Sequence, residues 1–235
     1  MSVTVPLTTF WRVGRRADPL YVLPKYQGDG RFDDPQHLVG VLYCASTVET
    51  CLLELLRQWP EAPDAAAILG KIPPPELPED VDDAKADRQL AEASKHRIIP
   101  SFIFDKDVVQ ARSVNGDLTL LDLRHVSTMR RLETDPDVAR EMACYSYRQF
   151  DRGTLLAPVE HRRLTQSVSN AVLRGVFLDE RFDGLQVDGR HGGDVYVVFI
   201  GAGYEPALKA LSRMQLTPHN VDLQKVATTL GLQMP

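Results

Sequence analysis

Apolar positions recur along this chain with two periods, one of strands and one of helices. Residues 8 to 14 alternate aromatic, polar and apolar side chains, and residues 38 to 43 form a short apolar run, so both segments are predicted strands. Ser46-Thr47-Val48-Glu49 reads as a capping box, with the Ser46 hydroxyl on the amide three residues on and Glu49 reaching back. A helix is therefore predicted to start at Ser46. Val48, Leu52, Leu55, Leu56 and Trp59 share its apolar face, Thr47, Thr50, Glu54 and Gln58 fall on another, and Pro60 stops it. Prolines at 60, 63, 73, 74, 75 and 78 then exclude a continuous helix and predict a surface excursion, with a short helix near residues 82 to 95.

Ile98 to Phe104 and Leu118 to Leu123 read as strands around the Asn115-Gly116 turn, followed by helical patterns near 135 to 149 and 160 to 175. Asp183 to Gly193 leads into Val195 to Ile200, which reads as two strands joined by a glycine-rich loop, a hairpin closing a sheet. The last thirty residues hold two amphipathic helical patterns, and Leu223, Val226 and Leu230 are spaced for one helix face. The expected class is mixed α/β (α+β).

Composition narrows the function. A net charge of -5 over 235 residues argues against a general nucleic-acid binder. The charge is unevenly spread: Arg12, Arg15, Arg16, Lys25 and Arg31 face only Asp18 and Asp29 in the opening segment, which suits a small anionic ligand. Residues 61 to 94 are strongly acidic and read as a solvated face. With no run of eighteen apolar residues and no secretory layout at the N-terminus, neither membrane nor export is indicated, and a cytoplasmic protein is expected. Cys44, Cys51 and Cys144 form no CxxC and read as core thiols; the six histidines show no metal-ligand spacing, so no metal is expected.

The candidate chemistry is concentrated in the first quarter. Arg12 and Arg31 can grip phosphate oxygens in a planar, two-point manner that lysine cannot reproduce. Tyr43 offers an aromatic face for a nicotinamide cation and a hydroxyl for hydrogen bonding. Glu54 supplies a carboxylate for the oxocarbenium character that develops on ribose when nicotinamide departs. Taken singly, each is more often an ordinary surface or core residue; taken in this order, they are what gripping and cleaving a dinucleotide requires. The Gly189 to Gly193 loop, with Arg190, could bring backbone amides to a phosphate.

The words Trp11-Arg12-Val13, Gly30-Arg31-Phe32-Asp33, Val41 to Ser46, and Glu49-Thr50 to Glu54 together resemble the RES domain family. Leu120 to Leu123 is similar to its middle, and Leu164-Thr165-Gln166, Phe182 to Leu185 and Val195 to Phe199 to its C-terminal half. The resemblance spans roughly residues 8 to 201 and implies an ADP-ribosyltransferase-like fold with a split β-sheet around an NAD cleft. It divides the chain into a catalytic domain over 1 to 202, with an acidic, proline-rich insertion over 60 to 97, and a helical extension over 203 to 235. It implies NAD+ as substrate with no further cofactor, cleaved by hydrolysis or phosphorolysis by the toxin of a toxin–antitoxin pair. The alternatives are ADP-ribose transfer to a protein, or a degenerate NAD-binding module. Arg12, Tyr43 and Glu54 are then the catalytic residues, and Arg12, Arg31, Tyr43, Gly189 and Arg190 hold the substrate. A helix-turn-helix antitoxin and inorganic phosphate are implied as partners, and a homo-oligomer is compatible with the sequence. One departure stands out: where the family commonly has a serine after the Asp-Gly-Leu strand, this chain has Gly189, or Asp188 if the register slips, with Ser167 or Ser169 as substitutes.

Overall fold

A computed structural model describes residues 3–21, 30–34, 36, 38–56, 97–156, 161–177, 180–201, 203–204 and 206–235. The proline-rich excursion, its expected helix near 82 to 95, and Gln58 and Trp59 lie outside the described residues.

Alternation along the strands sorts side chains onto two faces of one eight-stranded sheet. The strands are β1 (Thr4–Leu7), β2 (Phe10–Arg15), β3 (Gly40–Ala45), β4 (Lys106–Ser113), β5 (Leu118–Asp122), β6 (Gly184–Asp188), β7 (Asp194–Ile200) and β8 (Leu208–Gln215). Their spatial order is β1-β5-β6-β7-β3-β2-β4-β8, antiparallel throughout except for the parallel β5–β6 pair. Val41, Leu121, Leu185, Val187, Val197 and Phe199 pack one face against helices, while Phe10, Leu42, Cys44, Leu120, Tyr196 and Val198 fill a second cluster. This is the mixed architecture the periodicities predict.

The sheet is nearly divided in the middle. β3 runs alongside β7 for six residue pairs, Gly40↔Ile200 through Ala45↔Val195, but meets β2 at one pair, Trp11↔Ala45. Beyond that pair the two strands diverge, and backbone groups that a ladder would satisfy need other partners.

β3 leads into α1 (Val48–Leu56), two residues later than predicted. Ser46 lies in the bend between β3 and the helix, where its N–H donates to the Asp194 carbonyl at 3.0 Å, next to the last β3–β7 pair. Thr47 is the cap instead: its Oγ1 accepts the Thr50 N–H at 3.1 Å, and Glu49 is exposed. Leu52, Leu53 and Leu56 bury against Leu223, Val226 and Ala227 of the last helix, while Glu54 points away from that stripe, as its position predicts.

Among the described residues the further helices are α2 (Val126–Glu133), α3 (Pro136–Cys144), α4 (Arg152–Leu155) and α5 (Arg162–Leu173), followed after β8 by α6 (Val221–Leu230). α3, α5 and α6 match predicted helical patterns; α2 and the four-residue α4 were not predicted. Three segments differ from the sequence reading. Ser101–Asp105 is a 3-10 helix, not a strand, because Pro100 turns the chain and Ile99 and Ile103, four apart, bury together, leaving the strand to start at Lys106. The strands flanking Asn115-Gly116 do not pair, since β4 lies between β2 and β8 and β5 between β1 and β6; the turn joins two halves of the sheet. Leu208–Gln215 is a strand: Leu208, Leu211 and Met214 have helical spacing, but Leu211 and Met214 are exposed and the segment pairs with β4.

The C-terminal residues are tied back to the sheet side of the molecule. Arg97 donates to the carbonyls of Leu230 and Gly231 at the end of α6, and the Gln233 carbonyl accepts the Ile99 N–H at 2.9 Å. Cys44 and Cys51 are buried as expected, whereas Cys144 is exposed at the end of α3. Among the described residues no helix is long and apolar enough to cross a membrane, and no group of three His, Cys, Asp or Glu could hold a metal.

Capping assigns a test to the β3–α1 junction. Thr47→Ala is expected to lower stability by about 1 kcal/mol in urea unfolding, with Ser46→Ala close to neutral. The reverse order would restore the predicted helix start.

Candidate active site

Arg12 stands where β2 leaves β3. Its Nε donates to the Pro19 carbonyl at 2.7 Å and its Nη1 to the Tyr43 carbonyl at 3.2 Å, so the guanidinium fills the split and satisfies a β3 carbonyl that β2 no longer pairs. Burial lowers its pKa, opposed by the nearby Cys44, Cys51 and Asp18. Burial likewise pushes the Cys44 thiol up to about 12, countered in part by Arg12, so Cys44 is a packing residue and not a nucleophile.

Tyr43 is the hub of a tight turn. Its hydroxyl donates to Asp33 Oδ1 at 2.8 Å and accepts the Phe32 N–H at 2.9 Å, while Asp33 Oδ2 accepts the Gly30 N–H at 2.8 Å. Burial and the adjacent Asp33 charge push the Tyr43 phenol well above its ordinary pKa, so it stays protonated and donating. The buried Gln166 of α5 clamps the same turn, its Nε2 donating to the Gly30 carbonyl at 3.0 Å. No side chain fits at Gly30: a Cβ there would lie 2.4 Å from the Tyr43 hydroxyl and 2.5 Å from Asp33 Oδ1. Arg31, carried by this turn, donates through Nη2 to the Leu155 carbonyl at the end of α4. The Tyr43 hydroxyl is thus spent inside the protein, holding the loop that presents Arg31, and its half-buried ring packs against the main core cluster.

Glu54 anchors the other wall. Its Oε1 accepts the Arg190 N–H at 2.9 Å. In the β6–β7 hairpin loop the Gly189 N–H donates to the Gly193 carbonyl and the Gly192 N–H to the Gly189 carbonyl, so three of the loop's amides are engaged within the protein. The anion this loop receives is the Glu54 carboxylate, which is a different use of Gly189 and Arg190 from the expected grip on substrate. Gly193 has φ +80°, and a Cβ there would meet Thr50 Oγ1 at 2.4 Å, so the loop packs directly on the first turn of α1. Nor could the missing serine stand at 189, since a Cβ would lie 2.7 Å from the Gly192 carbonyl oxygen. Asp188 pairs with Arg152 instead, Ser167 donates to the Leu164 carbonyl of its own helix, and Ser169 is fully buried in α5.

Short contacts close these pieces into a ring. Tyr43 holds the Gly30–Asp33 turn, Arg31 reaches Leu155 on α4, Arg152 of α4 lies 3.5 Å from Asp188, the loop after Asp188 binds Glu54, and Glu54 returns through α1 to β3. Arg31, Tyr43, Glu54, Gly189 and Arg190 all lie on this ring, and Arg12 reinforces it from the split. Asp33 and Gln166 stand in words quoted for the family resemblance but without a role of their own, and Arg152 and Arg124 carry no sequence signal.

Arg124 braces the hairpin from outside the ring. Its Nε and Nη2 donate to the two oxygens of Asp122 at 2.8 and 3.2 Å, and its Nη1 to Asp194 at 2.6 Å. Burial alone would raise the Asp122 carboxyl, but the hydrogen bonds and charge of Arg124 outweigh it and hold the pKa below the ordinary value.

Two outcomes follow. Tyr43→Phe removes a donor and an acceptor from a buried turn and is expected to cost about 1–3 kcal/mol in denaturant unfolding, with Gly30→Ala more damaging because its neighbours are fixed. A carboxyl whose pKa falls on folding stabilises above its unfolded value of about 3.9, and that stabilisation is lost as pH drops through the lower folded value. The stability difference between wild type and Asp122→Asn should therefore be full near neutrality and shrink in acid; a difference independent of pH would contradict the pairing.

Comparison with known proteins agrees with this layout. A family model of the RES domain matches residues 9–93. A chain in the crystal structure of the M. tuberculosis MbcT–MbcA toxin–antitoxin complex superposes with a TM-score of 0.51 at 16% sequence identity, covering 97% of this chain and 92% of that one. No curated protein matches. The fold is therefore similar to that of a chain in a toxin–antitoxin complex, and residues 9–93, which carry Arg12, Arg31, Tyr43 and Glu54, match the RES domain model.

Proposed function

We propose that this chain breaks the nicotinamide–ribose bond of NAD+, passing the ribosyl group to water or inorganic phosphate, and that it acts in the cytoplasm as the toxin of a toxin–antitoxin pair. The carrying observation is that Glu54, fixed by the Arg190 amide, shares one ring of contacts with the Arg31 turn and Tyr43. An anion clamp and an oriented carboxylate are the two groups that cleavage of a cationic leaving ring from an anionic dinucleotide needs. A match to the RES family model over the segment bearing these residues, and a fold similar to that of a chain of a toxin–antitoxin complex, support the toxin reading.

In this reading Arg31 releases the Leu155 carbonyl to take a pyrophosphate oxygen, a charge-assisted contact stronger than the neutral one it replaces. The Tyr43 ring stacks near the nicotinamide while its hydroxyl keeps the Arg31 turn in place. Glu54 faces the ribose as nicotinamide leaves and positive charge builds on C1 and the ring oxygen. One carboxylate oxygen, held by the Arg190 N–H, keeps it oriented; the other stabilises the charge or directs the acceptor. NAD+ is the substrate, and no further cofactor is required. An antitoxin of helix-turn-helix type would act by covering this cleft.

Purified protein incubated with NAD+, with and without phosphate, should release nicotinamide. Glu54→Gln is expected to lower kcat by about a hundredfold or more with KM little changed, and Arg31→Ala to act mainly on KM. A labelled protein band from lysate with labelled NAD+ would redirect the reading to protein ADP-ribosylation. Folded wild-type protein that releases no nicotinamide under either condition would overturn it.

A further inference from the structure

We propose that Arg124 is a positioning residue for Glu54, acting through the β6–β7 hairpin whose loop holds the carboxylate. This rests on the reading of Glu54 given above. The hairpin ends in two acids facing each other, since Asp188 and Asp194 are direct partners in the β6–β7 register. Like charges placed opposite each other across antiparallel strands repel, and this pair closes the loop that contains Gly189 to Gly193. Left uncompensated, the hairpin would splay at the point where Arg190 must present its N–H to Glu54.

Arg152 and Arg124 both oppose that repulsion, and they are not equal. Arg152 reaches Asp188 at 3.5 Å from a side chain that is 59% exposed, a contact of the kind that contributes little in water. The Arg124 side chain is 22% exposed and grips both oxygens of Asp122 while reaching Asp194 at 2.6 Å. Asp122 ends β5, and its Oδ1 also accepts the Arg124 N–H at 2.9 Å, so the guanidinium is fixed at its base before it reaches across. The planar fork that permits this three-point span is specific to arginine. Asp188 joins Asp122 and Asp194 in holding the Arg124 charge in place, so one cation serves all three acids.

Displacement at Asp194 cannot stay local. Gly193, the preceding residue, is packed against Thr50 in the first turn of α1, and the Asp194 carbonyl accepts the Ser46 N–H that leads into that helix. Loss of Arg124 therefore moves the Arg190 amide relative to Glu54, along two routes that both end on the carboxylate. Arg31 and the Gly30–Asp33 turn are held separately, by contacts with Leu155, Tyr43 and Gln166 among others.

The test is Arg124→Gln, read by steady-state kinetics with NAD+ and by hydrogen exchange of the Arg190 amide in labelled protein. The expected result is a kcat lower by about tenfold or more with KM within about twofold, the signature of a misplaced group and not of lost binding. The Arg190 amide should exchange faster than in wild type, while amides of the distant β4 remain protected. Adding Asp194→Asn to Arg124→Gln removes one of the opposed charges and should restore part of both. Should Arg124→Gln fail to fold, Arg124→Lys keeps the charge but not the fork and should give a smaller shift in the same two readouts. An Arg190 amide as protected as in wild type, or unchanged kcat in folded variant, would overturn the proposal. If wild type proves inactive on NAD+, the exchange measurement still decides whether Arg124 sets the Arg190 amide, separately from the reading of the reaction.

Discussion

The arrangement depends on one hydrogen bond between a backbone amide and a carboxylate, Arg190 N–H to Glu54 Oε1 at 2.9 Å. A glutamate on an amphipathic helix usually samples solvent; this one is fixed by a loop of another hairpin 136 residues along the chain. The bond does two things at once. It satisfies an amide in a tight glycine turn, and it ties one oxygen of the Glu54 carboxylate to the β6–β7 loop. Preorganisation of this kind is where electrostatic catalysis finds most of its strength, because nothing has to reorganise as charge develops.

The sheet is built to make that bond reachable. β3 pairs fully with β7 on one side and at one residue pair with β2 on the other, so the chain opens at the point where α1 departs. Arg12 occupies the opening and satisfies the Tyr43 carbonyl, which leaves Tyr43 free to project its side chain into the Gly30–Asp33 turn. Both of these sequence-predicted binding residues serve in the structure as framework for the residues beside them. The distinction matters for variants, because loss of either disturbs the Arg31 turn as well as any direct contact with a ligand.

Much of the fold is legible in the residues, and its gaps have physical causes. The strands of the first quarter, the β6–β7 hairpin and the α6 face follow from alternation and helical spacing. Ser46 and Thr47 offer similar hydroxyls for the cap, and only the pairing of Ser46 with Asp194 decides between them. The spacing of apolar residues in β8 suggests a helix, because spacing alone cannot register an edge strand whose side chains are mostly exposed. Arg12, Arg31, Tyr43 and Glu54 were visible as residue types in a family order. The roles of their supporting partners Gln166, Arg152 and Arg124 are not legible in the sequence, since each reaches a residue more than 30 positions away along the chain. The absent serine is also explained by contact geometry, because the Gly189 position has no room for a side chain.

If the Arg31 turn and the Glu54 loop line one dinucleotide site, NAD+ titrated into isotope-labelled Glu54→Gln protein should bind without turnover and perturb the backbone amide resonances of both. Amides of Gly30 to Asp33 and of Gly189 to Gly193 should shift together along a single saturation curve. Shifts confined to one of the two loops, or absent from both in folded protein, would contradict a shared site.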